Sequence, residues 1–199
     1  MANPYNQQIE YWKTIIAGIA GADYSFSIIR PPYTTGSNTG TVVATGASLF
    51  VEPAGPNWAQ DKIPDAEFYS VCGDHSLFQS GDILDSGADI PLVTVFSDAD
   101  SQEFLAIKTD KTCTIKDIGR QWSNLRFDYM NSTSAGPDEF RDDNTSLNNP
   151  VRRIIMYAIP AITEGMKLFD DSTGMIWDIS RVDFKFSLMT LFLDQVNRT

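Results

Sequence analysis

Short apolar runs separated by polar turns dominate the chain. Residues 90–96 (Ile-Pro-Leu-Val-Thr-Val-Phe) and 104–108 (Phe-Leu-Ala-Ile-Lys) are two such runs joined by the polar turn 97–102, and 112–116 (Thr-Cys-Thr-Ile-Lys) is a third. With Gly-Asp-Ile-Leu at 81–84 in front, the pattern predicts a compact antiparallel meander across 81–118. Residues 24–29 and 67–72 have the same β-branched and aromatic character and read as strands, the first closed by Pro31 and Pro32. Further on, 152–159 predicts a strand. Residues 165–169 and 175–179 predict a hairpin about a turn from Asp170 to Gly174, where Gly174 suits a positive φ. Residues 182–196 finish as a strand or a short helix, and the alternation from Val182 to Phe186 favours a strand in the first half.

One segment has a helical period instead. Ile9, Trp12, Ile15, Ile16 and Ile19 recur at three- and four-residue steps, which predicts an amphipathic helix over 6–20. Such a helix either docks on a neighbouring subunit through Ile9, Trp12 and Ile16 or covers one opening of its own β core. Residues 33–46, rich in Thr, Gly, Ser and Asn, read as a loop, without the Gly-Lys-Ser/Thr ending of a phosphate cradle. Pro53, Pro56 and Pro64 surround Trp58 and keep that stretch out of a central ladder, so it runs over the surface or forms part of a subunit contact. Between 131 and 150 only Phe140 and Leu147 interrupt a polar tract, too long for an ordinary connection. It reads as a surface loop or as an arm that orders against a partner. The expectation is a mainly β fold, an antiparallel β-barrel or β-sandwich in one domain over 1–199, with an N-terminal amphipathic helix and a long polar loop or arm.

Length and composition support a folded core: 199 residues, 42% hydrophobic and 12% aromatic. The net charge of −11 and a single adjacent basic pair, Arg152 and Arg153, argue against nucleic-acid binding, which needs clustered cations. No apolar run approaches the roughly 20 residues of a membrane helix. The N-terminus lacks a basic region before its short apolar stretch, so no signal or anchor is expected and synthesis is placed in the cytoplasm. Cys72 and Cys113 are too few for a disulfide framework and too far apart for a zinc pair; a single bridge is open, and buried free thiols are the favoured reading.

Candidate chemistry is sparse. His75, the single histidine, lies three residues after Cys72 without a recognisable nucleophile signature, and reads as a turn histidine. Asp98, Asp100 and Glu103 resemble the start of a calcium loop but place Glu103 where the sharp turn requires glycine. Asp138, Glu139, Asp142 and Asp143 read as a solvated loop. No Gly-x-Ser-x-Gly, His-Glu-x-x-His or Gly-x-Gly-x-x-Gly motif occurs. The sequence therefore predicts no enzyme, no cofactor and no metal site.

The order of segments carries a resemblance. A helix, a strand ending in Arg30-Pro31, a Pro-rich stretch, then Gly81 to Leu84, Val93 to Phe96 and Phe104 to Lys108 together resemble small virion proteins of tailed bacteriophages, of the kind encoded among head and tail genes. The hairpin around Gly174 to Trp177 is compatible with their head-completion and tail-joining barrels. The resemblance implies a non-catalytic β subunit in a homo-oligomeric ring or layer at the head–tail (neck or tail) region. Its implied partners are its own copies and portal, neck, tail or capsid proteins, within the virion after synthesis in the host cytoplasm. Candidate assembly contacts are Ile9, Trp12, Ile16, Trp58, Phe140 and Leu147. A competing reading is a soluble β-sandwich binding module for carbohydrate or a receptor, with Trp58, Tyr69 or Trp122 as exposed stacking platforms. A hydrolase, the third reading, requires a concave pocket of carboxylates with raised pKa values.

Overall fold

The computed structural model describes residues 25–54, 57, 59, 63, 66–74, 76–87, 93–97, 104–130 and 152–195. In chain order these form β1 (Ser25–Arg30), β2 (Gly36–Ser37), β3 (Thr41–Ser48), β4 (Phe50–Pro53), β5 (Phe68–Cys72), β6 (Ile83–Asp85) and β7 (Val93–Ser97). There follow β8 (Phe104–Lys108), β9 (Lys111–Asp117), β10 (Arg120–Tyr129), β11 (Arg152–Tyr157), β12 (Lys167–Asp170), β13 (Ile176–Lys185) and β14 (Leu188–Gln195). The described residues are mainly β, as the pattern of short apolar runs implies. The helix expected over 6–20 and the arm over 131–150 lie outside the described residues.

The C-terminal half closes on itself. β11, β14, β13, β12, β9 and β10 are hydrogen-bonded in that order, and β10 pairs back to β11, giving a six-stranded antiparallel barrel. Closure removes the free edges that an open sheet would leave. Alternate residues of each strand fill the interior, among them Trp122, Leu125 and Phe127 of β10 and Trp177 and Ile179 of β13. The predicted hairpin of 165–179 is β12 and β13 with Gly174 at φ 69°, and the chain after Val182 is strand in β13 and again in β14.

The other sheet runs β3-β1-β6-β7-β8-β5-β4, antiparallel throughout. Its two edge strands are consecutive in the chain, with Leu49 alone between them. Strands about 4.8 Å apart would separate the edges of a flat seven-stranded sheet by roughly 29 Å, and one residue reaches at most about 3.6 Å. The sheet is therefore curled, and Phe26, Ile28, Leu49, Val51, Leu84 and Val95 pack inside the curl. β4, which ends in Pro53, is an edge strand, as its proline requires.

Barrel and curled sheet share a third cluster, in which Phe68, Phe96, Leu105 and Ile107 of the sheet meet Met130, Ile155 and Leu188 of the barrel. The segment after β1 straps the two together: β2 lies parallel to β10 at Trp122 and Ser123, and the buried Asn38 amide donates to the carbonyls of Thr34 and Ser123 at 3.1 Å.

Three expectations need correction. The meander of 81–118 breaks after β8: its second edge is taken by β5, so β9 leaves the sheet and enters the barrel between β10 and β12. Residues 33–46 are not a continuous loop, since they hold β2 and most of β3. The exposed platforms proposed at Tyr69 and Trp122 are buried, Trp122 at 1% exposure, because both point into cores. Cys72 and Cys113 are buried thiols outside any disulfide, one in β5 and one in β9. Burial, with the Asp171 and Asp170 charges behind it, pushes the Cys113 thiol well up. Replacing both by serine is expected to cost about 1–3 kcal/mol through buried hydroxyls, with a melting curve that reductant leaves unchanged. A reductant-dependent midpoint in the parent protein would reveal a disulfide instead.

Candidate assembly surface

Among the described residues, the buried polar networks hold turns and joints, while Ser80 Oγ and Trp177 Nε1 are buried without a hydrogen-bond partner. Asp170 ends β12 and caps the hairpin turn: one carboxylate oxygen accepts from the Ser172 hydroxyl at 2.6 Å and the Ser172 N–H at 2.9 Å, the other from the Tyr129 hydroxyl at 2.6 Å. Burial pushes this carboxyl up, but the donations from Ser172, Tyr129 and Thr173 outweigh it and hold it at about 2. The same contact, after burial, raises the Tyr129 hydroxyl to about 12, against the nearby Arg152. Because the folded value lies below the unfolded 3.8, the stabilisation is complete above 3.8 and is lost as pH falls from there toward 2. The depression corresponds to about 2 kcal/mol. Asp170→Asn should remove about that much at neutral pH and flatten the acid limb of stability against pH, read by urea unfolding at successive pH values. An unchanged acid limb would show that Asp170 does not titrate against folding.

A second network pins barrel to sheet. Arg30 at the end of β1 donates Nε and Nη2 to the buried Asp82 at 2.8 and 2.7 Å, and the Gln79 N–H donates to the same carboxylate at 2.9 Å. Beside it the Tyr33 hydroxyl donates to the Gly81 carbonyl at 2.6 Å, while its ring lies 4.5 Å from that of Tyr157 on β11. Burial, then the nearby Tyr157 and Asp82, push the Tyr33 hydroxyl above the usual phenol range and keep it a donor. On the barrel surface cations sit beside carboxylates: Lys111 with Asp110 and Asp128, Lys167 with Asp178, Arg181 with Asp183. Arg152 of the basic pair lies over the rings of Trp177 and Tyr129, at 5.2 and 5.4 Å. These contacts explain charge placement by packing.

The assembly contacts chosen from sequence, Ile9, Trp12, Ile16, Trp58, Phe140 and Leu147, lie outside the described residues, as do His75, the carboxylates at 98, 100 and 103, and those from 138 to 143. Among the described residues no group of three or more His, Cys, Asp or Glu is placed to hold a metal ion, and no helix is long and apolar enough to cross a membrane. Within those residues sequence reasoning missed the surface that stands out, the edge strand β3. It pairs with β1, and its register shifts twice, between Phe26 and Ile28 and between Ile28 and Ile29 of the partner strand. The shifts insert extra residues into β3, so Val42 and Val43 stand out on successive positions at 53% and 42% exposure. Thr41, Thr45, Gly46 and Ser48 are exposed as well.

A sequence signal for this surface exists. From Pro31 to Val51 the chain carries no charged residue, 21 positions in a protein with 41 formally charged ones. The next longest such run, 154–163, has ten and begins in the buried barrel strand β11. Elsewhere Ile118 stands at the β9–β10 hairpin tip with 97% exposure, its turn clamped by the Arg120–Asp117 ion pair.

Compared with protein families, with curated proteins and with solved structures, the chain matches none.

Proposed function

We propose that the chain is a structural subunit of a tailed-bacteriophage virion, built into a ring or layer at the head–tail region through contacts with its own copies and with portal, neck, tail or capsid proteins. The observation that carries this reading is the long, exposed, uncharged edge strand β3 on a strongly acidic protein. Exposed edges of this kind pair with other chains. The order of segments resembles virion proteins, and the described polar networks serve turns and joints. An acidic surface suits a particle through which DNA passes without being retained. The competing binding-module reading loses two of its three stacking residues, since Tyr69 and Trp122 are core.

Light scattering and negative-stain imaging of the purified chain test the proposal. Closed rings or regular layers are the expected result. A monodisperse monomer whose melting temperature rises with an oligosaccharide would replace assembly with ligand binding.

A further inference from the structure

We infer that β3 is a self-recognition strand, adding antiparallel to β3 of a second copy across a two-fold axis. The inference rests on the assembly reading and names one contact within it. An edge strand presents alternate backbone N–H and C=O groups outward, ready to extend a sheet. Natural edges are protected by charge, by proline or by bulges. β3 has neither charge nor proline between Thr41 and Ser48, and among the described residues its bulges are the protection it shows.

Charge selects the occupant. Two copies at −11 each repel wherever acidic surfaces meet. The uncharged run 31–51 has no counterpart of similar length elsewhere in the chain, so a long neutral strand can meet a neutral strand between copies chiefly by meeting itself. Self-meeting of one patch is an isologous, two-fold contact. In that arrangement Thr41 of one copy faces Ser48 of the other, Val42 faces Ala47 and Val43 faces Gly46, so the exposed valines of each copy are covered by the partner strand. The bulges divide the ladder into short pieces, which limits the paired length and makes the contact reversible and concentration-dependent. Within a ring or layer it would supply one of the repeating contacts.

The sign of the salt effect follows. Screening reduces the repulsion between the acidic bodies and leaves a neutral strand contact untouched, so self-association strengthens with added salt. A contact made by ion pairs weakens instead.

Sedimentation of the full chain over a range of concentrations, at low and high sodium chloride, tests this beside Val43→Glu and Thr45→Glu. Both side chains are exposed, and circular dichroism and melting establish that the variants fold. The expected result is dimerisation that strengthens with salt in the parent and is weakened about tenfold or more in each variant, where two added negative charges are brought into the neutral seam between acidic bodies. Hydrogen exchange of the parent gives an independent reading: amides of 41–48 should gain protection as concentration rises. Rings or layers that persist unchanged in both variants would overturn the β3 contact while leaving the assembly reading standing. A parent that forms no dimer at high salt, or whose 41–48 amides exchange equally fast at every concentration, would overturn it too, and imaging of the same sample for rings or layers judges the broader reading separately.

Discussion

Truncating Trp122 to alanine should destabilise the protein by about 3–5 kcal/mol, the range for emptying a large aromatic site in a packed core. Trp122 is among the largest fully buried side chains, and it packs in the barrel with Ile115, Leu125, Phe127 and Trp177. Its strand is held on both sides, by β9 at Ile115 and by β2 at Gly36, so the walls cannot easily collapse into the void. The Arg120 guanidinium over the indole, 5.5 Å from the ring, loses its partner as well. Urea unfolding of the variant checks the value. A loss under 1 kcal/mol would mean that the indole is not a core element and would return Trp122 to the surface role expected of a stacking platform.

The contrast between the two roles shows what the chain's pattern reveals and what it conceals. Runs such as Val93 to Ser97, Phe104 to Lys108 and Phe68 to Cys72 are legible because they are buried on nearly every position and bounded by turn residues. The β12–β13 hairpin is legible because its turn needs Gly174. β10 is hidden by a change of phase. Trp122 points inward, the register then shifts between Trp122 and Leu125, with Asn124 at φ 56°, and Leu125, Phe127 and Tyr129 resume two-residue spacing one position out of step. A simple alternation test across the bulge cancels itself. β3 is hidden by composition: its Thr, Gly and Ala resemble a loop because an exposed edge strand needs no apolar face.

Partner choice is a different kind of loss. Lys111 to Asp117 reads correctly as a strand, but nothing within it says that β5 already occupies the edge of β8 and that β9 must pair with β10 and β12. Closure of the barrel by β10 and β11, across the undescribed 131–151, is likewise a long-range fact. The assembly contacts chosen from helical period, proline content and isolated apolar residues fall outside the described residues. The surface that the structure offers instead was encoded by a missing feature, 21 consecutive positions without charge, which a search for chemically active side chains passes over.

Gly81→Ala should cost about 3 kcal/mol, a larger effect than one methyl group usually has. Gly81 sits at φ 97°, where an L side chain is strained. A Cβ there would lie 2.9 Å from Cζ of Tyr157 and 3.1 Å from Cε2 of both Tyr157 and Tyr33. Neither ring can yield freely. Tyr33 is fixed by its hydroxyl on the Gly81 carbonyl and by a backbone at φ 47°, and Tyr157 belongs to the barrel strand β11. Backbone strain of about 1–3 kcal/mol and overpacking of a similar size both apply. The Gly81 N–H also donates to the Val95 carbonyl at 2.8 Å, so moving the chain to relieve the clash strains the ladder between β6 and β7. Since the two rings join sheet to barrel, the loss should appear in near-ultraviolet circular dichroism of the tyrosines as well as in the urea midpoint. Tyr33→Phe is the control: it keeps the ring and removes one hydrogen bond, for about 1 kcal/mol. If Gly81→Ala unfolds at the parent's midpoint with the parent's tyrosine signal, the joint is not packed as described.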